Sequence, residues 1–399
     1  MPRPARGQSR DEVRTALVLS GGGARGAYQV GILRGLVDLG LFDERPPFDI
    51  VVGASAGAIN AATLAAFADR FAEAVRTLQE VWSGLHPQQV IRTDLRSLSG
   101  IGARWVRDLS FGGVFGHVTP KSLLDTAPMR ELLARWIPFA RIDTTLARGM
   151  LRALVVLATD LYTAQGVVFV HGAPDVELWQ RSRYRVERAH IGVEHLMASG
   201  AIPVFFPSVE IEGRHFGDGC IRNTSPLSPA IHLGADRIVA IGVRGPDRGT
   251  LPADTAAHLP PTIAQIAGVL LDAVMLDAIE VDIEHSERVN TSVLAAGSDT
   301  RSPFRWIDIL WLSPSRAIGE IAAEMTHRLP RIVRYLMRGL GTEESTRELA
   351  SYLLFDGGFC GRLIDLGRAD VAARADEIRA FFASERKPGG RLTARRRGA

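Results

Sequence analysis

A serine between two glycines is the clearest candidate for chemistry in this chain. Ser55 lies in Gly53-Ala54-Ser55-Ala56-Gly57, after the apolar run 50–52 and before an alanine-rich stretch. The pattern is typical of a nucleophile elbow, where a serine sits at a sharp turn between a strand and a helix. The two glycines fit because a backbone in such a turn has no room for a Cβ beside the serine. We predict that Ser55 is a nucleophile; a glycine-rich helix cap is the plainer alternative.

A second glycine-rich loop precedes this motif. Gly21-Gly22-Gly23-Ala24-Arg25-Gly26 follows an apolar run and begins a helical pattern. Its spacing also matches a dinucleotide-binding fingerprint, but such a fold places an acidic residue at the end of the second strand. Here that strand ends at Ser55, so we expect the loop amides to face an oxyanion beside the serine. A dinucleotide-dependent oxidoreductase remains a distant alternative. Arg25 could contact a phosphate, fix the loop or form an ordinary salt bridge.

A serine nucleophile needs a base, and the sequence offers few good candidates. Most downstream histidines lie in helical patterns, where a surface or core histidine is the default. Asp218 differs because it follows a short apolar segment and is flanked by Gly217 and Gly219. A carboxylate on such a turn can approach another loop closely.

The elements around these motifs predict an α/β fold. Strand, glycine loop, helix and second strand form a βαβ unit, which implies a parallel sheet flanked by helices. Helices are expected at 69–85, 187–199 and, as one long helix, Thr262–Arg288, after which the chain stays helical to about residue 384. Residues 86–146 are irregular and could form a cap beside the site. Further strands are expected at 153–158, 167–170, 209–211, 214–216 and 237–241.

Five blocks, in this order along the chain, resemble the patatin-like phospholipases. They are Gly21–Gly26, Gly53–Gly57, Ala158–Leu161, Ala198–Pro203 and Asp218–Gly219. The resemblance covers residues 15 to about 245, and a weaker similarity extends over about 351–367. It implies a mostly parallel central sheet flanked by helices and a lipid acyl hydrolase without a cofactor or metal.

The resemblance also implies roles for single residues. Ser55 would be the nucleophile, Asp218 the base of a Ser–Asp dyad, and Gly21–Gly26 the oxyanion loop. Cys220 stands where the family usually has a glycine or alanine, which bears on how closely Asp218 approaches the serine. Asp356 begins an ideal Asp-Gly-Gly tripeptide, but it lies in the helical region, beyond the place that the block order gives the base. A catalytically silent relative that binds lipid or acyl chains is the alternative from another functional class.

Charge and composition set the remaining expectations. The net charge of +3 comes from the two ends, and the rest of the chain carries more acidic than basic residues. We expect basic, disordered tails at 1–14 and 385–399, a catalytic domain at 15–245 and a helical extension at 246–384. The tails alone do not predict nucleic-acid binding. Oligomeric state is left open.

Location and partners follow from the same composition. The two cysteines fit a reducing compartment, and the N-terminus lacks the apolar core of a signal peptide. The uncharged stretch Ile50–Ala68 is better explained by a buried strand and helix than by a membrane span. We therefore expect a soluble, cytoplasmic protein whose partner is a lipid with an acyl ester. Peripheral contact with the inner face of the membrane is conceivable through the segment Pro330–Leu340 or the tails.

Overall fold

A computed structural model describes residues 13–42, 47–92, 122–180, 184–246, 262–296, 304–340 and 343–384. The expected tails, apart from residues 13 and 14, lie outside these ranges, as do residues 93–121 of the segment 86–146. In the described ranges, no helix has the length and apolar composition that crossing a bilayer requires.

The core is a mostly parallel sheet of nine strands. Seven of them follow the order β5-β4-β3-β2-β1-β8-β9, while β7 pairs with β3 and β6 pairs with β7. Neighbours are parallel except at β3–β4, β3–β7 and β6–β7. The strands are β1 (Thr15–Leu19), β2 (Ile50–Ala54), β3 (Ala153–Asp160), β4 (Gln165–Gly172), β5 (Tyr184–Arg188), β6 (Val209–Ile211), β7 (Arg214–Asp218), β8 (Arg237–Ile241) and β9 (Asp308–Leu312).

Fourteen α-helices occur in the described part of the chain. The first seven are α1 (Gly26–Asp38), α2 (Ala56–Ala66), α3 (Phe71–Ser83), α4 (Ala127–Trp136), α5 (Ala140–Ala147), α6 (Val193–Ser199) and α7 (Ser228–His232). The rest are α8 (Ile263–Met275), α9 (Asp277–Ala296), α10 (Ile318–Ala323), α11 (Arg331–Leu340), α12 (Glu343–Leu353), α13 (Gly357–Ala373) and α14 (Ala375–Ala383).

Small residues bring the helices near the site close together. Every residue of α2 is buried, which its alanines and glycines allow because their side chains need little space. Helix α13 lies equally close to α1: a Cβ on Gly35 would approach the Val371 side chain to 2.6 Å. The C-terminal region is therefore packed firmly on the α/β body.

Three local expectations were wrong. The segment 86–146 was expected to be irregular, but α4 and most of α5 lie within it. Residues 187 and 188 belong to β5, and the helix begins only at Val193, because the polar segment pairs with β4 as an edge strand. The long helix predicted over Thr262–Arg288 is divided at Leu276 into α8 and α9. The extension at 246–384 is mainly helical in its described residues, as expected, and it also contributes β9 as a parallel strand beside β8.

Candidate active site

Ser55 and Asp218 meet because two strands end against the same edge of β3. Strand β2 runs parallel to β3, and its last residue, Ala54, pairs with Leu157. Strand β7 runs the opposite way and ends at Asp218, which pairs with the next residue of β3, Ala158. The residue that follows β2 and the residue that ends β7 therefore face one another across a gap in the sheet.

The backbone at Ser55 has the strained conformation of an elbow. Its φ and ψ are 52° and −126°, in the region that non-glycine residues rarely adopt. The flanking glycines are required by close contacts. A Cβ on Gly53 would lie 2.6 Å from the Ala58 Cα, and one on Gly57 would lie 2.5 Å from the carbonyl oxygens of Leu19 and Ser20. The turn is thus compressed between β1 and the start of α2.

The end of α6 and the residues that follow it are bonded to both strand ends. The Ser199 hydroxyl accepts a hydrogen bond from the Ser55 amide at 2.9 Å, and the Ala201 carbonyl accepts one from the Asp218 amide at 3.0 Å. On the other side, the Thr159 hydroxyl donates to the Asp218 carbonyl at 2.8 Å. These bonds fix the backbone of both residues without occupying the Asp218 side chain.

The Asp218 carboxyl is fully buried and only half satisfied. Its Oδ1 accepts the Cys220 amide at 2.9 Å, while Oδ2 has no hydrogen-bond partner among the described residues. Burial raises the pKa of Asp218 to about 6, against the opposing effect of hydrogen bonding from the Cys220 amide, the Ser55 hydroxyl and the Cys220 thiol. The Ser55 hydroxyl thus lies close enough to affect the pKa of the carboxyl. Catalytic hydrogen bonds of this kind often tighten when substrate binds.

The glycine loop lies against the same two residues. A Cβ on Gly21 would lie 3.0 Å from the Ser55 Cβ and would overlap the Cys220 sulfur. Gly22 and Gly23 have φ values of 148° and 57°, which favour glycine. The amides of Arg25 and Gly26 are used inside the turn, where they donate to the carbonyls of Gly22 and Gly23. These two amides are therefore not available to a ligand.

The Arg25 side chain points away from the serine. It is buried, and its Nε donates to the Ser351 hydroxyl at 2.7 Å, while a terminal nitrogen lies 2.7 Å from a Glu348 carboxylate oxygen. Its guanidinium also lies over the Tyr352 ring, 4.1 Å from the ring centre. Of the three roles open from the sequence, the structure supports an ion pair that fixes the loop to α12.

An apolar cavity begins at the serine. It encloses about 530 Å³, a figure that includes open solvent at its mouth, and Ser55 is the only described residue of its lining that has a hydroxyl. The Trp82 indole donates to Asn60 at 2.9 Å, so this side chain presents its rings and not a free donor to the cavity. The other lining residues are Gly23, Ala56, Ile59, Val81, Trp82, Leu85, Val90, Met129, Leu132, Leu133, Trp136, Gly200, Ile202, Phe206 and Phe355. The cavity therefore suits an extended hydrocarbon chain.

Asp356 has a structural task. Its carboxylate caps α13 by accepting the amides of Gly358 at 3.0 Å and Phe359 at 3.3 Å, and it pairs with Arg328 at 3.0 Å. These contacts account for the Asp-Gly-Gly tripeptide without a catalytic role, because an aspartate is a preferred N-cap.

A single cluster in the described residues has the composition of a metal site. His171 Nε2 and His190 Nδ1 lie 2.8 and 3.3 Å from Asp143 Oδ1. However, His171 Nδ1 accepts the Ile191 amide at 3.2 Å, so the proton of the neutral ring is on Nε2. Burial lowers the pKa of His171, which favours that neutral form. The cluster is therefore better explained as a hydrogen-bonded pair of rings on an aspartate than as a metal centre.

Two contacts in the site were not predicted from the sequence. Ser199 lies in a block that was noted by resemblance only, and its bond to the Ser55 amide depends on a contact across 144 residues. Cys220 was expected to affect Asp218, but its contact with Gly21 was not anticipated. No local pattern encodes either contact.

Comparisons with known proteins agree on one family. A family model described as Patatin-like phospholipase matches residues 17–231. The chain is 28% identical over 239 residues to patatin-like phospholipase domain-containing protein 7 of Rattus norvegicus, covering 59% of this chain and 14% of that one. It is 27% identical over 254 residues to an uncharacterized NTE family protein of Mycobacterium bovis, covering 62% and 55% of the two chains. The chain thus spans about a seventh and about half of these relatives.

Among solved structures, human GIVD cytosolic phospholipase A2 in complex with methyl gamma-linolenyl fluorophosphonate aligns at a TM-score of 0.37 and 12% identity. That alignment covers 93% of this chain and 59% of the human one. VipD from Legionella pneumophila aligns at a TM-score of 0.28 and 13% identity, covering 89% and 67%.

Proposed function

Because this chain belongs to the patatin-like phospholipase family, we propose that it is a serine acyl hydrolase that cleaves carboxylic esters of lipids. One observation carries the proposal: the Ser55 elbow adjoins a fully buried carboxyl, Asp218, whose Oδ2 has no partner among the described residues. An unsatisfied buried oxygen is costly, and such groups are retained mainly where they have a task. Accepting the serine proton is the task that its position suits.

The reaction proceeds in two halves. Asp218 Oδ2 accepts the Ser55 proton while Oγ attacks the ester carbonyl, which gives a tetrahedral oxyanion. The early amides of the glycine loop and the N-terminus of α2 stabilise that negative charge. Collapse of the intermediate releases the alcohol, which takes the proton from Asp218, and leaves an acyl group on Ser55. Water activated by the same carboxylate then hydrolyses the acyl-enzyme and regenerates the serine.

The environment of Asp218 suits a base in this reaction. A carboxylate of ordinary pKa is a weak base towards a serine hydroxyl, but burial raises the pKa of Asp218 to about 6. That value is closer to neutral pH, where a general base combines ionisation with proton affinity. The apolar cavity would hold the acyl chain, so a long-chain ester of a lipid is the substrate class that we propose.

Covalent labelling tests the assignment directly. A fluorophosphonate probe should label the wild type and fail to label Ser55→Ala, and label Asp218→Asn far more slowly. The matched controls are Ser83→Ala, at an exposed serine, and Asp356→Asn, which changes the Asp-Gly-Gly tripeptide of α13 while keeping a good helix cap. Both controls should be labelled like the wild type. Product analysis on a panel of defined lipids then identifies the bond that is cleaved.

The outcomes separate the alternatives. Labelling and ester hydrolysis that persist in Ser55→Ala would rule out this site. A wild type that binds lipid but is neither labelled nor active would indicate the silent acyl-binding relative. If Asp356→Asn lost activity while Asp218→Asn remained active, Asp356 and not Asp218 would be the base.

A further inference from the structure

Helix α8 carries an apolar face that the described fold leaves in solvent. Ile263, Ile266, Val269 and Leu270 are 66%, 49%, 69% and 61% exposed. Their spacing of three, six and seven residues places them on one side of the helix. Single exposed apolar side chains are common on proteins, but four large ones in one stripe mark an interaction surface.

The same helix ends beside residues that pack against the proposed active site. At its C-terminal end, Val274 and Met275 line a small cavity together with Gly21 and Cys220. Helix α8 is 13 residues long, so the exposed stripe begins within about 20 Å of that cavity. A body that covers the stripe would thus lie about one helix length from the Gly21 and Cys220 side of the proposed site.

The neighbouring helix has the composition of a segment that lies in a membrane interface. Helix α11 packs beside α8, with Val333 and Met337 buried. On its outer side Arg331 is exposed and Tyr335 is 74% exposed. A basic residue and a tyrosine beside exposed aliphatic side chains are typical of surfaces that bind anionic bilayers. The charge complements an anionic lipid surface.

We propose that the exposed face of α8, with Arg331 and Tyr335 of α11, docks this protein onto an anionic lipid bilayer. The aliphatic side chains of α8 enter the boundary between headgroups and acyl chains, and the arginine contacts lipid phosphates. This rests on the proposed function insofar as docking serves to bring a lipid ester to Ser55. The surface lies beyond the family motifs, in the segment after residue 245.

Vesicle binding by a variant that cannot degrade the vesicle is the first measurement. Ser55→Ala protein is sedimented with vesicles of phosphatidylcholine, alone or mixed with phosphatidylglycerol. The double substitution Val269→Ser with Leu270→Ser should weaken binding to the mixed vesicles at least about tenfold, because it removes two large side chains from the interface. Leu294→Ser, at an exposed leucine near the far end of α9, is the matched control and should bind like its parent.

The electrostatic part is tested separately. Arg331→Gln should reduce the preference for phosphatidylglycerol while leaving binding to phosphatidylcholine alone unchanged. Arg368→Gln is the control, since it is an exposed arginine on α13 that pairs with Asp38. Raising the salt concentration should weaken the binding of the parent protein to the mixed vesicles, and it should weaken the binding of Arg331→Gln less.

Activity measurements distinguish this inference from the proposed function. For these measurements Ser55 is left intact. The Val269→Ser, Leu270→Ser variant should hydrolyse a short water-soluble ester at the wild-type rate, and it should hydrolyse vesicle lipid at least about tenfold more slowly than the wild type. Equal binding and equal vesicle hydrolysis by wild type and the α8 variant would overturn the docking surface. A wild-type dimer in size-exclusion chromatography that the α8 substitutions dissociate would overturn it as well, because a second copy would then cover the face. Intact vesicle binding without any ester hydrolysis would instead reject the proposed function.

Discussion

The Cys220 sulfur lies directly against Gly21, where any side chain on the glycine would overlap it. A Cβ on Gly21 would also lie only 3.0 Å from the Ser55 Cβ. The Gly21 amide also acts on the thiol as a hydrogen-bond donor, while burial raises the pKa of Cys220 above its usual range. Loop, serine and carboxyl turn are thus packed around one neutral, buried thiol.

Substituting Gly21 should damage the site more than the fold. In Gly21→Ala the new methyl group must displace the Cys220 sulfur or the serine, and a misplacement of about 1 Å can cost roughly a hundredfold in rate. We expect kcat on a soluble ester to fall by that order. Gly361→Ala is the control, because a Cβ there meets nothing within 4 Å. A Gly21→Ala protein with wild-type kcat would contradict the packing described here.

Activity should depend on the ionisation of Asp218. The base must be deprotonated to accept the serine proton, and the pKa of Asp218 is raised by burial to about 6. We expect kcat/KM for an uncharged ester to fall about tenfold per pH unit below that value and to level off above it. Thermal unfolding at each pH verifies that the fold persists. A profile that stays flat down to pH 4.5, about where an exposed carboxyl titrates, would reject Asp218 as the base.

Removing this charge should stabilise the protein at neutral pH. The folded pKa of Asp218, about 6, lies above the unfolded value of 3.8. The contribution of this group to stability is therefore fully present below pH 3.8 and is lost as the pH rises through 6. Asp218→Asn avoids the loss, so its free energy of unfolding should exceed that of the wild type by up to about 3 kcal/mol at pH 8 and by little near pH 4.

Denaturant unfolding at the two pH values measures the difference. Asp356→Asn serves as the control, since Asp356 caps a helix and an asparagine caps nearly as well. If Asp218→Asn were less stable than the wild type at pH 8, the fold would stabilise the charged Asp218 carboxylate, contrary to its raised pKa.

The Arg25 ion pair should matter for stability and not for chemistry alone. Arg25→Met removes the ion pair with Glu348 and the bond to Ser351. Removing one partner of a buried pair costs about 3–5 kcal/mol, and the partial exposure of Glu348 lowers that cost. Arg368→Met, at an exposed pair with Asp38, should cost less than about 1 kcal/mol. Similar unfolding free energies for the two variants would argue against the role of Arg25 in fixing the loop to α12.

The apolar cavity should determine acyl-chain length. Leu132 is a partly buried residue of its wall, so a larger side chain can be accommodated there with little strain on the core. We expect Leu132→Trp to lower the ratio of kcat/KM for a long-chain ester to that for a butyrate ester by about tenfold. Leu132→Met keeps the volume and should leave the ratio unchanged. An unchanged ratio in Leu132→Trp would place the acyl chain elsewhere.

Much of the site follows from short stretches of sequence. The elbow at Ser55 and the glycine loop are local structures, because the dihedral angles and close contacts that they need select glycine at fixed spacings. The βαβ order around them requires a parallel sheet, and the described structure has one. Strand β9 was missed because its apolar run of four residues, which follows Asp308, is ambiguous when it stands among helices.

Tertiary structure decided how these local pieces meet. Asp218 reaches Ser55 because the last residue of β2 and the last residue of β7 pair with adjacent residues of β3, Leu157 and Ala158. No local periodicity of the sequence encodes that register. Arg25 binds Ser351, 326 residues further along the chain, and this contact assigns the arginine to the support of the loop. The apolar positions of α8 indicated a helix, but only the packing of the chain left them exposed. Local patterns specify backbone conformation, whereas burial and partnership depend on which distant surfaces come together.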